Sequence, residues 1–193
     1  MISAILLTAG QSKRMVGENK LTKKIQGVPL IKLSLKNILA ASIDELIIVL
    51  GYQKEIIEKL IDKNEKIKLV FNKNFESGMA SSIKIGLDNL SEETEIFFIC
   101  LGDMPNVDKE IYNQLINLSF SNKDKEIFVP YYQEKQANPI LFSKKMKSKI
   151  EQIEGDFGAK KIIAEHEKKV FKLSIQNKGV ITDFNNIIDF ESK

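Results

Sequence analysis

The 193 residues include one cysteine, one histidine and no tryptophan. With Cys100 alone an internal disulfide is excluded, and one Cys and one His cannot supply a zinc site. That usage fits a reducing cytoplasm. Long apolar runs are missing as well. The most hydrophobic stretch, Ile96 to Leu101, stops at Gly102 and Asp103, well short of the roughly 20 apolar residues of a membrane helix. The opening MISAILLTAGQSKRM has an apolar run of strand length with no basic region before it, so it reads as a buried strand rather than a signal peptide. A soluble protein with no membrane partner is expected. Neither sign of charge dominates: 29 Lys and Arg face 26 Asp and Glu, for a net charge of +3. The basic residues are scattered rather than gathered in a block, which argues against a nucleic-acid partner. Most of the lysines read as solvated surface, with room for some to line a pocket for anionic substrates. Repeats, low-complexity stretches and Pro- or Gly-rich linkers are absent too, so residues 1–193 are expected to form a single domain.

What is present is an alternation of strand-length apolar runs with helix-period segments, the pattern of an α/β fold whose mostly parallel sheet carries helices on both faces. Strands are expected at Ser3 to Leu7, Glu45 to Leu50, Ile67 to Phe71 and Glu95 to Leu101, the last of these central in the sheet. Helices are expected at Pro29 to Ala41, at Lys54 to Asp62 with Ile56, Ile57, Leu60 and Ile61 turned inward, and at Met79 to Leu90. The second half continues with a helix near Lys109 to Leu118, strands at Ile127 to Pro130 and Pro139 to Phe142, helices at Ser143 to Ile153 and Ala159 to His166, and a strand at Val170 to Leu173. From Asn185 on, a short terminal helix is expected.

Four segments carry residues suited to chemistry. The loop after the first strand, Thr8 to Lys20, leaves the carboxyl end of a strand, where open parallel sheets bind ligands. Small residues such as Gly10 and Ser12 let backbone N–H groups approach phosphate oxygens, and Arg14 and Lys20 add cations for a transferred phosphoryl and its leaving group. Neither the Walker ending nor the Rossmann glycine triplet is present, and an ordinary strand-to-helix turn is the competing reading. At the end of the central strand, LGDMP places Asp103 at the sheet edge. A carboxylate there can hold a magnesium ion, which takes only one or two protein carboxylates; the alternative is a turn Asp before a proline. In ITDFNNIID, Asp183 and Asn185 alternate along an extended stretch and could complete an ion's shell, or cap a helix. In NKNFESGMASSIKIG, Gly78 opens a helix whose first turn carries Ser81 and Ser82, suited to a nucleotide or to plain capping.

Taken in order, LTAGQSKRM, Lys20, GMASS, LGDMP, NPILF, GDFGAK and the closing DFNN resemble the molybdenum cofactor nucleotidyltransferases, and within them the cytidylyltransferase branch. The resemblance runs from Ile2 to about Asp189. It implies a Rossmann-like nucleotidyltransferase fold, with an NTP-binding part at about residues 1–105 and an acceptor-binding part at about residues 106–193. Leu7, Thr8, Ala9, Gly10, Gln11 and Ser12 would wrap the NTP, Arg14 and Lys20 would meet its phosphates, and Asn72, Gly78, Ser81 and Ser82 would lie along the nucleotide pocket. Asp103, Asp183 and Asn185 would hold Mg2+, or Mn2+, with Arg14, Lys20 and Asp103 carrying catalysis. Asn138, Pro139, Gly155, Asp156, Gly158 and Lys160 would meet the pterin. The implied reaction transfers CMP from CTP to molybdopterin and releases pyrophosphate, with a molybdenum hydroxylase as the eventual recipient of the cofactor.

Cytidine is favoured because family members using GTP typically read LAGG where Leu7, Thr8, Ala9 and Gly10 stand, and a methyl at Ala9 would crowd a purine. A difference of that size is worth only about 1–3 kcal/mol in a pocket. The family's Gly-His-Pro is here Ala137, Asn138 and Pro139, its Arg after GDxGA is Lys160, and Asn185 replaces a common Asp. Those departures keep open another phosphorylated acceptor, while GTP as donor and a non-catalytic cofactor-delivery relative are the further alternatives. A Rossmann dehydrogenase is disfavoured by the missing glycine triplet.

Overall fold

The computed structural model describes residues 1–12, 18–155 and 159–184. Its elements in chain order are β1 (Ile2–Leu7), the short strands β2 (Lys24–Ile25) and β3 (Val28–Pro29), α1 (Leu30–Leu39), β4 (Glu45–Leu50), α2 (Lys54–Glu58), β5 (Ile67–Phe71), α3 (Met79–Asp88) and β6 (Ile96–Leu101). They continue with α4 (Lys109–Ser121), β7 (Ile127–Tyr132), β8 (Lys135–Gln136), β9 (Ile140–Ser143), α5 (Lys147–Ile150), α6 (Lys160–Glu165) and β10 (Val170–Ser174).

The main sheet runs β10-β7-β9-β6-β1-β4-β5, with β8 paired to β7. β1 pairs in parallel with β4 and β6, β4 with β5, and β7 with β10, whereas β9 is antiparallel to both β6 and β7. This is the mostly parallel α/β sheet expected, with β6 at its centre. Side chains alternate along each strand, so one sheet feeds two cores. In β1, Ala4 and Leu6 join α1, α2 and α4 on one face, and Ile5 joins α3, α5 and α6 on the other. Near-continuous burial of β4 and β6 is what a strand covered on both faces requires. In α1, Leu30, Ile31, Ser34, Leu35 and Ile38 form the buried stripe, at helical spacing.

Several boundaries differ from expectation. α2 ends at Glu58 rather than Asp62, and Ile56 is 48% exposed, not inward. Five residues packed on β4 can turn only one position fully into the core, and that position is Ile57. The expected helix Ser143 to Ile153 is a 3₁₀ turn, Lys144–Met146, followed by the single turn of α5. α4 runs on to Ser121, and β7 continues through Pro130 to Tyr132. The β2–β3 hairpin, turned by Gln26 and Gly27 at φ 49° and 82°, has strands too short to show a period in sequence. The terminal helix expected from Asn185 lies outside the described residues. Among the described residues no helix is long and apolar enough to cross a membrane.

What positions the site is the order of strands around β1. The chain goes from β1 to β4 and β5 on one side, then crosses to β6 on the other. The loops that leave the carboxyl ends of β1 and β6 therefore diverge, and a crevice opens between them, as at other topological switch points.

Candidate active site

That crevice is a cleft of about 420 Å³. Its walls include the whole first loop from Leu7 to Ser12, then Lys20, Gly78 and Ser82, with Asp103 and Asp183 also on its surface. Leu21, Phe75, Glu76, Met79 and Leu101 line it too. These five were not singled out from the sequence. Phe75 and Glu76 lie in a 3₁₀ turn just before α3, and only the position of that turn beside the first loop could have identified them.

The first loop is held from below. Thr8 donates both its N–H and its hydroxyl to the Val49 carbonyl, at 3.1 and 2.8 Å, and is buried. The Ala9 carbonyl accepts from Tyr52 N–H at 3.2 Å. Ala9 itself is 3% exposed, and a Cβ added to Gly51 would stand 2.6 Å from the Ala9 methyl. The methyl is thus packed against the β4 exit. At the rim, Gln11 Nε2 donates to Glu76 Oε1 at 3.0 Å, linking the first loop to the turn before α3.

Lys20 opens a 3₁₀ turn capped by Asn19, whose side-chain oxygen accepts from Leu21 N–H at 3.1 Å. Asn19 is 1% exposed and also donates to the Tyr52 carbonyl, and Leu21 is buried. The Lys20 N–H meets Ser12 Oγ at 3.1 Å, and Ser12 takes the left-handed conformation, φ 50°. From this fixed base the Lys20 ammonium pairs with Asp103 Oδ2, in a contact where the two side chains are only 19% and 12% exposed.

The loop bearing Asp103 is tied down by α1 from one side and by the carboxyl-terminal segment from the other. Ser34 Oγ donates to the Gly102 carbonyl and Asn37 Nδ2 to the Pro105 carbonyl, both at 2.8 Å. Phe184 N–H donates to the Asp103 carbonyl at 3.1 Å, which brings the neighbouring Asp183 to the same cleft. Gly179 lies so close to Asn106 that a Cβ there would meet the Asn106 carbonyl oxygen at 2.0 Å. Asn177 Nδ2 adds a bond to Asp108 at 2.6 Å.

Among the described residues no group of three or more His, Cys, Asp or Glu side chains converges on one point. An all-protein metal cage is therefore missing there. Two carboxylates lining one cleft, Asp103 and Asp183, nonetheless fit an ion such as Mg2+ or Mn2+, which keeps several waters and shares its shell with substrate phosphates. In β6, the Cys100 thiol is buried in the core, and burial pushes it up to about 12. It is inert packing rather than a nucleophile.

Not all the expected residues meet in the cleft. Asn72 and Ser81 do not line it. Asn72 is 1% exposed and spends its side chain on Ser81 Oγ, Ser82 Oγ and Asn74 N–H, at 2.8, 3.0 and 2.9 Å. Both residues brace the turn before α3 rather than line the cleft. Asn138 and Pro139 precede Ile140, which pairs with Ile99, so they stand at the same sheet edge as Asp103 but outside the cleft lining. Their peptide bond is cis, and Asn138 N–H donates to the Val180 carbonyl at 2.9 Å. The Gly155 carbonyl accepts from Ala80 N–H at 3.0 Å, which anchors its segment to the start of α3. Lys160 opens α6 on a separate hollow of about 620 Å³ with Gln152, Ile153, Glu154 and Lys161. Arg14, Asp156, Gly158 and Asn185 lie outside the described residues.

Residues 4–170 match the family model described as "MobA-like NTP transferase domain". A probable molybdenum cofactor guanylyltransferase of Methanosarcina mazei is 29% identical over 155 residues, which cover 77% of this chain and 66% of that protein. The match spans slightly less than two thirds of that relative's length. Among solved structures, Rv0371c from Mycobacterium tuberculosis H37Rv superposes with a TM-score of 0.86 at 21% identity, covering 99% of this chain and 96% of its own. A second structure of Rv0371c, a complex with manganese, gives a TM-score of 0.80 at 19% identity over 99% of this chain and 96% of that one. At those identities the two structures speak to the fold.

Proposed function

The chain belongs to the MobA-like NTP transferase domain family, and on that premise we propose that it transfers a nucleoside monophosphate from an NTP to the terminal phosphate of molybdopterin, releasing pyrophosphate. The observation that carries this reading is the convergence of Lys20, Asp103 and Asp183 on the cleft beside the Thr8–Ser12 loop. One cation and two carboxylates beside a loop of small residues match a triphosphate with its metal.

In this reading an oxygen of the acceptor phosphate attacks the α-phosphorus, and the bond to the pyrophosphate oxygen breaks. The acceptor is already anionic near pH 7, so no general base is required of the protein. Backbone N–H groups of the first loop hold phosphate oxygens, and Lys20 neutralises charge on the leaving pyrophosphate. Arg14 joins it in this role on the strength of the sequence resemblance. Asp103 and Asp183, with Asn185 from the sequence, would hold Mg2+ or Mn2+, which when bound supplies further neutralisation of the triphosphate. What remains for the chain is positioning, and the hydrogen bonds beneath Thr8 and around Asp103 give it a rigid frame for that.

We propose CTP as the donor, from the likeness of residues 7–10 to the cytidylyl branch. GTP is the second reading. It is favoured by the burial of the Ala9 methyl against Gly51, which leaves little of it to crowd a purine, and by the guanylyltransferase name of the M. mazei relative. Molybdopterin as acceptor rests on the family's GDFGAK segment. Two departures from the family pattern, Asn138 in its Gly-His-Pro and Lys160 for the Arg after GDxGA, make another phosphorylated acceptor the alternative. The test is pyrophosphate release with molybdopterin and Mg2+ or Mn2+, comparing CTP, GTP, ATP and UTP in parallel. A rate with CTP well above the rest supports the full proposal. A rate led by GTP keeps the reaction and replaces the base, and no rate with any NTP rejects the molybdopterin assignment.

A further inference from the structure

We propose that Lys20 serves as the counterion of Asp103 in the nucleotide-free chain, so that the divalent ion enters together with the triphosphate and not ahead of it. The proposal rests on the nucleotidyltransferase reading, in which Asp103 is a metal ligand and Lys20 a phosphate ligand. The geometry adds that these two groups pair directly with each other.

This contact is built by two independent mounts. On one side the Lys20 backbone is fixed by Ser12 and by the buried Asn19–Leu21 turn. On the other, Asp103 sits on a loop fastened at Gly102, Asp103 and Pro105 by Ser34, Phe184 N–H and Asn37. A surface ion pair meets by chance of rotamer, but this one joins two anchored segments in a cleft where both side chains are mostly covered. With the backbones fixed, only the torsions of the lysine stem can separate the charges. Lysine suits that use because its ammonium is a compact charge on a flexible stem, with three donors indifferent to which anion they meet.

An ammonium on a carboxylate oxygen competes directly with a divalent cation for that oxygen. Two cations cannot share it closely unless an anion joins them, since like charges a few ångströms apart in a partly buried site repel strongly. Triphosphate oxygens supply that anion. As they enter, the ammonium transfers to them, and Asp103 Oδ2 becomes available to the metal. Lys20 is in this sense a positioning residue for the metal carboxylate in addition to its contact with phosphate.

The experiment measures Mn2+ binding by the loss of the free-ion EPR signal, with and without CTP or GTP, in the wild-type chain and in variants. The wild type is expected to bind Mn2+ weakly alone and much more tightly with nucleotide. K20M, which keeps the apolar stem, is expected to bind Mn2+ alone about tenfold or more tightly than wild type, and K20M/D103N to lose that gain. K23M is the control: it removes the same charge from the same turn, but Lys23 pairs with Glu18, and its Mn2+ affinity should stay at the wild-type value. Should far-UV circular dichroism show K20M unfolded, K20Q replaces it. Unchanged affinity in the Lys20 variant, or an equal gain in K23M, would overturn the proposal even in a chain that binds nucleotide normally. A chain that binds neither CTP nor GTP with Mn2+ overturns the nucleotidyltransferase reading, and this proposal with it.

Discussion

The Ala9 methyl fills the space that a side chain at residue 51 would need: a Cβ on Gly51 would lie 2.6 Å from the Ala9 Cβ and 2.8 Å from its Cα and carbonyl oxygen. Two of the three blocking atoms are backbone. The first loop of the cleft is thus seated directly on the exit of β4, and residue 51 cannot grow without moving it.

Gly51→Ala is therefore expected to lift that loop. Overpacking of this kind costs roughly 1–3 kcal/mol, visible as a lower urea midpoint, and the KM for NTP should rise by about tenfold through loss of the loop's register. Ala9→Gly should have a different effect. With its methyl turned to Gly51, its removal should leave the CTP-to-GTP ratio of kcat/KM within about threefold, whereas a methyl that crowded a purine would shift the ratio by about 1–3 kcal/mol. Measuring both ratios on one enzyme preparation decides between the two.

Ser34 tests the mounting of Asp103 from α1. Ser34→Ala leaves the buried Gly102 carbonyl without its 2.8 Å donor. An unsatisfied buried acceptor costs about 1–3 kcal/mol. Reduced stability together with a fall in kcat, at little change in KM, is expected in steady-state assays. Lost stability with unchanged kcat would show that the α1 contact supports the fold alone.

Gly179 tests the mounting of Asp183. A methyl there would run into the Asn106 carbonyl, so Gly179→Ala must push the carboxyl-terminal segment away from the loop that follows Asp103. Weaker Mn2+ binding in the presence of nucleotide is expected, by about tenfold, with CTP binding in the absence of metal nearly unchanged.

Cys100 sets an alkaline limit. Its folded thiol is pushed from 9.0 to about 12 by burial, which outweighs its hydrogen bond to Tyr112, and the Tyr112 hydroxyl is raised as well, chiefly by burial. Between about pH 9 and 12 the unfolded chain has lost the thiol proton that the native chain keeps. The unfolded state binds fewer protons there, so stability falls as pH rises through that window. The fall in urea midpoint from pH 8 to pH 10.5 should be smaller in Cys100→Ala than in wild type, and the native thiol should resist thiol reagents at pH 8.

Legibility in the sequence tracked burial. β1, β4 and β6 were readable because buried strands of a mostly parallel sheet are continuous apolar runs, and the loops after β1 and β6 were readable because those runs end abruptly at Thr8 and Gly102. The weak points were short elements. α2 and α5 make barely one turn each, and the four residues of β2 and β3 show no period at all. For the site, residue type pointed to Lys20, Asp103 and Asp183, but not to the contact between the first two, which spans 83 positions of chain. Asn72 and Ser81 have the chemistry of nucleotide ligands, yet their polar atoms are consumed locally by the turn before α3. Pairing of that kind depends on tertiary distances that no spacing in the chain encodes. Phe75 and Glu76 reach the cleft for the same reason, without a motif of their own.

Mass spectrometry of the acceptor shows whether the proposed transfer of a nucleoside monophosphate to molybdopterin takes place. After incubation with Mg2+ and CTP or GTP, the acceptor should gain the mass of one nucleoside monophosphate, with pyrophosphate as co-product, and D103N should slow that gain by about 10²–10³-fold. An acceptor of unchanged mass with every NTP, from wild-type protein that binds nucleotide and metal, would rule out molybdopterin as the acceptor.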